Sequence, residues 1–212
     1  MSDNTANISV ADAVPAPDST AKRLTGDERR REILAAVRTV SSELGVSHLS
    51  VSAVTKRAGC TRSLFYHYFE DKEAVADAVL DNVIDEILTT LKQWNQARET
   101  GNVNKALDDI VHVLRSLIAD ESPFSNRMIQ DGNAELYIKF IDRAADRIAD
   151  YIAQTTVRDF EQMHGLPITN VHEPFFTLIV GLISLIRSHP NISDRTIKEV
   201  MAQTLHIESY VV

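Results

Sequence analysis

The side chains best placed for chemistry in this 212-residue chain are hydrogen-bonding groups gathered in one short stretch: Ser50, Ser52, Thr61, Arg62, Ser63, Tyr66 and His67. Their chemistry is recognition of phosphates and base edges. Ser50 and Ser52 open one short predicted helix, and Thr61 and Arg62 open another, where free amides and the positive end of the helix dipole favour phosphate. Simple capping is the plain alternative for these hydroxyls, and the two roles can coexist. Arg62 carries the planar fork that pairs with guanine O6 and N7; a solvated arginine is its alternative. Tyr66 and His67 fall between the apolar anchors Phe65 and Phe69. At about 100° per residue they turn away from a core, Tyr66 as a phosphate contact and His67 touching phosphate or stacking, while Tyr68 can belong mostly to the core.

Other chemistry finds little support. The seven histidines show no HxxxH or HExxH spacing, and the single cysteine cannot complete a thiolate site, so no metal is expected. No GxSxG, P-loop or GxGxxG occurs, and no paired carboxylates call for acid-base work. The chain is therefore expected to have no catalytic residues, no cofactor and no enzymatic activity. Cys60, after a turn glycine, reads as a packing residue.

Positioning these groups requires folded elements, and the composition supplies them. Hydrophobic residues at 44% and charged ones at 25% exclude wholesale disorder, and only seven glycines and six prolines favour helices over turn-rich β folds. With one cysteine no intramolecular disulfide can form, which suits a reducing cytoplasm. The longest apolar run, Pro174 to Ile186, is well short of the roughly 20 residues that cross a bilayer. Residues 1–21 contain no Lys or Arg and no sustained apolar stretch, so they read as a disordered tail and not a secretion signal.

Thr25 to Glu28 fit a capping box that starts a first helix through Ile33, Val37, Val40 and Leu44, stopped at Gly45. Ser50 caps a second helix that ends before Gly59; Thr61 caps a third; Asp71 caps a fourth that runs towards Trp94. Beyond Gly101 the spacing predicts helices over Leu107–Ile118, a break at Ser122 and Pro123, a short piece from Phe124 to Met128, and one long helix from Ala134 to about Met163. Pro174 opens a nearly all-round apolar helix to Ser188, and Ser193 a final amphipathic one. The expectation is an all-α chain of about nine helices.

Charge divides the same way. The formal net charge is −8, yet residues 22–72 carry ten bases against six acids while residues 73–212 carry twelve against 21. A basic segment on an acidic body points to a local anionic partner, with chance clustering on solvated faces as the alternative. Three short helices with a glycine turn between the second and third describe a helix-turn-helix, whose third helix can enter a major groove.

The segment Leu49–Val75, LSVSAVTKRAGCTRSLFYHYFEDKEAV, resembles the DNA-binding signature of the TetR family of transcriptional regulators. The likeness lies in Ala58-Gly59 at the turn, the cap at Thr61, the run Phe65 to Phe69, and Lys72-Glu73-Ala74 opening the next helix. Thr55 stands where the family generally has Ala, Ser63 where Gly is common, and Glu70-Asp71 replaces a frequent Pro-Ser. Thr55 is close in size to the small residue needed at a helix crossing, and Ser63 and Glu70 bear on which sequence is read or how tightly.

The resemblance implies a helix-turn-helix head over 22–71 and a regulatory and dimerisation body over 72–212, following the tail of 1–21. The partner is double-stranded DNA carrying a pseudo-palindromic operator. Arg62 matches a position that commonly faces bases, and Lys72 one that commonly binds backbone phosphate. Lys22, Arg23, Arg29, Arg30 and Arg31 can add salt-dependent affinity from the flank. A homodimer is implied through the last two helices, with Phe175, Leu178, Gly181, Leu182, Leu185, Ile197, Met201 and Leu205 as candidate interface residues and burial within the subunit as the alternative. Also implied is a small-molecule pocket, for which Trp94, His112, Phe124, Met128, Tyr137, Phe140 and Phe176 are candidates, each equally readable as core. The expected function is a repressor released by its ligand, the alternative a ligand-independent DNA-organising or protein-recruiting factor with the same head.

Overall fold

The computed structural model describes residues 25–45, 49–130, 134–165 and 168–211, with the side chains of Lys72 and of residues 120–130 excepted. The described residues form nine α-helices and a closing 3₁₀ turn at Glu208–Tyr210, without strands. The expected tail, Lys22 and Arg23 lie outside them.

The first four helices follow local signals closely. In α1 (Gly26–Leu44) the Thr25 amide donates to the Glu28 carboxylate at 2.8 Å and the Glu28 amide to the Thr25 hydroxyl at 3.2 Å, closing the capping box. Ser50, Thr61 and Asp71 each accept from the third amide of α2 (Val51–Arg57), α3 (Arg62–Tyr68) and α4 (Lys72–Ala97). At the turn between α2 and α3, Gly59 sits at φ +59, where other residues are strained, and the Cys60 amide reaches back to the Thr55 carbonyl at 3.0 Å. Ile33, Val37, Val54, Phe65, Phe69, Val75 and Val79 bury together beneath these helices.

The body departs from expectation at two joints. Helix α5 (Val103–Gln130) runs unbroken through Ser122 and Pro123, so the predicted break and separate short piece are absent. Conversely, the long helix expected from Ala134 divides into α6 (Ala134–Gln154) and α7 (Thr156–His164). Thr155 lies between them at φ −126, ψ −81, its hydroxyl donating to the Tyr151 carbonyl at 2.7 Å, while Thr156 turns its hydroxyl to Asn95 on α4. Consecutive threonines that hydrogen-bond elsewhere weaken helix continuation. A merger and a split thus leave the expected total of nine.

Helix α8 (His172–Ser188) packs along α6, and α9 (Asp194–Thr204) packs on α5. Lys198 of α9 is buried and pairs with Asp108 of α5 at 2.6 Å; Arg115 of α5 pairs with Asp194. Helix α4 joins the two regions. At about 39 Å it is long enough to pack under α1 at its start and against α5 and α6 further along. Its Asp77, Asp81 and Asp85 meet Lys139, Arg143 and Arg147 of α6, rung by rung at 2.6, 3.5 and 2.6 Å. Four-residue steps on both helices create this ladder, which fixes the register of α4 on α6.

Candidate nucleic-acid interface and body cavity

On α3, Phe65 is 1% exposed and Leu64 and Tyr68 are half-buried, whereas Arg62, Ser63, Tyr66 and His67 are exposed. At helical spacing those four occupy one continuous arc of about 140°. Phe65 is the pivot: its ring meets Tyr66 edge-on at 5.5 Å and Phe69 at 5.7 Å, so burying it presents the opposite side of α3 to solvent. Arg62 meets no partner among the described residues, and Tyr66 is 55% exposed. The Tyr68 hydroxyl lies against α1 at Gly26, in keeping with a packing role.

Ser50 and Thr61 have their hydroxyls engaged as caps, accepting from Ala53 and Leu64 at 3.2 and 3.1 Å. Ser52 is exposed on the first turn of α2. The Lys72 side chain lies outside the described residues. Among the flanking bases, Arg29 pairs with Glu32 at 2.7 Å, Arg31 donates to the Asp27 carbonyl at 3.4 Å and Arg30 lies over the Phe69 ring at 5.3 Å. Their charge is partly spent within the head. Arg57 of α2 likewise pairs with Glu43 of α1. Cys60 is half-buried and free, and burial pushes its thiol pKa up, which keeps it protonated.

The body holds two adjoining apolar lobes. The first, of about 130 Å³, lies among α4, α5, α7 and the chain end, with Trp94, Thr156, Phe160 and Met163 in its wall. The second, of about 110 Å³, lies among α4, α5, α6 and α8, with Phe140, Ala144 and Leu182 in its wall. Ile110, Ile152, Phe175 and Met201 line both. Of the residues named as pocket candidates, Trp94 lines the first lobe and Phe140 the second. His112 is not: the core side of α5 is set by Leu107, Ile110 and Val111, which leaves His112 exposed beside Asp194. Tyr137 lies under the Arg187 guanidinium and Phe176 against His172, and neither lines a lobe. Phe124 and Met128 fall outside the described side chains. Sequence spacing pointed to large aromatic groups; most of the wall is aliphatic and indistinguishable from core.

The expected interface residues also separate. Leu178, Leu182, Ile197, Met201 and Leu205 are buried within the subunit, and Phe175 lines the lobes, so these six face inward. The inward side of α8 is occupied by α6 and the cavity, leaving Gly181 exposed and Leu185 half-buried on the outward side beside exposed Thr177, Ser184 and Ser188. Helix α8 is thus not apolar all round. A Cβ added at Gly181 would meet nothing within 4 Å.

Among the described residues no group of three or more His, Cys, Asp or Glu could hold a metal ion, and no helix is long and apolar enough to cross a membrane. Residues 33–79 match the model of the bacterial regulatory proteins of the tetR family. The HTH-type transcriptional regulator EthR of Mycobacterium tuberculosis is 38% identical over 64 residues, which is 30% of this chain and 30% of that protein's length. The fold extends further: a TetR transcription regulator from Haloarcula marismortui superimposes with TM-score 0.61 at 13% identity, over 85% of this chain and 97% of that one. RolR in complex with resorcinol superimposes with TM-score 0.55 at 17% identity, over 87% and 91%. The capped helices around the α2–α3 turn thus coincide with the segment that matches the tetR-family model, and the body beyond it shares the all-helical fold of these solved structures.

Proposed function

We propose that the protein is a homodimeric repressor that binds a pseudo-palindromic operator through α3 and is released by a small molecule held in the body. The observation that carries this reading is the exposed arc of Arg62, Ser63, Tyr66 and His67, backed by buried Phe65. Arg62 reads a base edge, Tyr66 and His67 touch backbone, and Ser50, Ser52, Thr61 and Lys72 hold the phosphates that set register. The head comprises residues 22–71 and the body 72–212, with α4 working in both.

Two heads must stand roughly 34 Å apart to meet successive major grooves. The outward side of α8, with Gly181, Leu185 and the small residues beside them, is the proposed two-fold contact, because nothing there prevents close helix approach. Helix α4 is the proposed route of release. Ile87, Leu91 and Trp94 of α4 line the lobes while Val75 and Val79 of the same helix pack in the head. A ligand that favours another placement of α4 shifts the population to a head spacing the operator rejects. RolR, of the same fold, is described in complex with resorcinol, and the open lobes here support a ligand-responsive body over a purely structural one.

Selection of bound duplexes from a random pool at stated salt, repeated with a metabolite panel, tests this reading. An inverted repeat that one class of compound displaces is expected. Unselective binding that no compound alters would overturn it.

A further inference from the structure

Resting on the reading of α4 as the route from body to head, we infer that its second placement is an advance of one helical turn along α6, guided by the ionic ladder. The ladder fixes register only to within one turn. Helix α4 carries four acids at four-residue steps, Glu73, Asp77, Asp81 and Asp85, for three bases on α6, Lys139, Arg143 and Arg147. The two rows run parallel, and in the structure the last three acids are engaged. When α4 advances one turn towards the C-terminal end of α6, the first three are engaged instead, as Glu73–Lys139, Asp77–Arg143 and Asp81–Arg147. Both registers keep three rungs.

One side chain already bridges the two registers. Arg143 lies 3.5 Å from Asp81, its partner in the observed register, and 3.6 Å from Asp77, its partner in the advanced one. The six paired side chains of the ladder are between 34% and 61% exposed, so water screens each rung and partners exchange without stranding a buried charge.

The apolar side of the contact permits the same step. Val79, Val83 and Ile87 of α4 are four residues apart, as are Phe140, Ala144 and Ile148 of α6, and all six are buried, so a one-turn advance sets apolar on apolar again. Ile87, Phe140, Ala144 and Ile148 also line the second lobe, whose volume of about 110 Å³ gives their side chains room to repack. Placements between the two registers set ridge against ridge, so the step is a ratchet and not a continuous slide. The head travels with α4, because Arg38 of α1 pairs with Glu86 and because Val75 and Val79 share a core with Ile33 and Val37. One turn carries it about 5 Å along α6.

Two charge swaps of identical composition test the inference. Asp81→Arg with Arg143→Asp keeps opposite charges on every rung of the observed register and sets like against like on two rungs of the advanced one. Asp77→Arg with Arg143→Asp does the reverse. In the full chain, spin labels are placed at Lys56→Cys in the head and Gln154→Cys at the end of α6, both exposed, with Cys60→Ala removing the native thiol. Pulsed electron resonance then reads the distance between them. The Asp77 swap is expected to shorten that distance by about 5 Å relative to the Asp81 swap. The two are also expected to differ at least tenfold in affinity for the selected operator. Asp85→Asn, an exposed change that removes a rung from the observed register alone, covers the case in which a swap fails to fold; it is expected to raise the fraction at the shorter distance about twofold. An equal distance in both swaps, or an Asp85→Asn distribution identical to that of wild type, would overturn the inference. If the distances differ as described while operator affinity is equal, the two registers stand and the reading of α4 as the route of release fails.

Discussion

The four helices of the head begin on side-chain acceptors, Thr25, Ser50, Thr61 and Asp71, whereas α7 and α8, which help wall the cavity, begin on Thr155 and Val171 with no side-chain cap. In the head, local signals and a filled core agree, so α3 is held in one pose. Around the lobes, α5 and α9 begin on Asn102 and Ser193, but α7 and α8 depend on packing against neighbours that leave space between them. A rigid reader attached to an incompletely filled body is what a ligand-controlled switch requires, because a ligand can shift only an element that has more than one acceptable placement.

The contrast can be broken most forcefully by truncating one phenylalanine in each region. Phe65→Ala removes a fully buried anchor and is expected to cost about 3–5 kcal/mol in thermal or denaturant unfolding, with loss of DNA binding. Phe175→Ala, at a half-buried ring already short of contacts on its cavity side, is expected to cost roughly half as much. Equal losses would mean that the lobes are filled in solution. Gly181→Arg comes next. Nothing within the subunit meets a side chain there, so helicity should persist while sedimentation shows a monomer and operator affinity falls more than about tenfold. A dimer of unchanged strength would move the interface elsewhere.

A finer pair compares helix starts. Thr61→Ala removes the bond from the Leu64 amide and is expected to cost about 1 kcal/mol, whereas Thr155→Ala, which removes no cap, should fall within about 0.5 kcal/mol of wild type. Smallest is a pH effect on α1. The Thr25 amide and hydroxyl hold the Glu28 carboxyl below its usual pKa, so its stabilisation is present above the unfolded carboxylate value and lost as pH falls through the lower folded one. The melting difference between wild type and Glu28→Ala should therefore be constant near neutrality and vanish in acid; persistence in acid would exclude the carboxylate as its source.

Legibility in the sequence follows the same division. The capping box, the Gly59 turn and the alternation of Phe65 and Phe69 with exposed Tyr66 and His67 are local patterns, and each was readable residue by residue. Pro123 and Thr155 misled because a proline suggested a break that the surrounding helix absorbs, and a threonine pair concealed one that depends on Asn95, far away in sequence. Apart from Trp94 and Phe140 the wall of the cavity was not legible, since Ile110, Ile152 and Met201 carry the same periodic signal whether they touch a neighbour or a void. The α4–α6 ladder depends on the fold, which alone pairs the acidic row of α4 with the basic row of α6.

On the proposed function, α3 reads DNA through Arg62. Fluorescence anisotropy of Arg62→Ala and Lys72→Ala, each on the selected operator and on a scrambled duplex at the same salt, tests it most directly. Arg62→Ala is expected to lower discrimination between the two duplexes by about tenfold or more, while Lys72→Ala weakens both alike. Discrimination left intact by Arg62→Ala would contradict it.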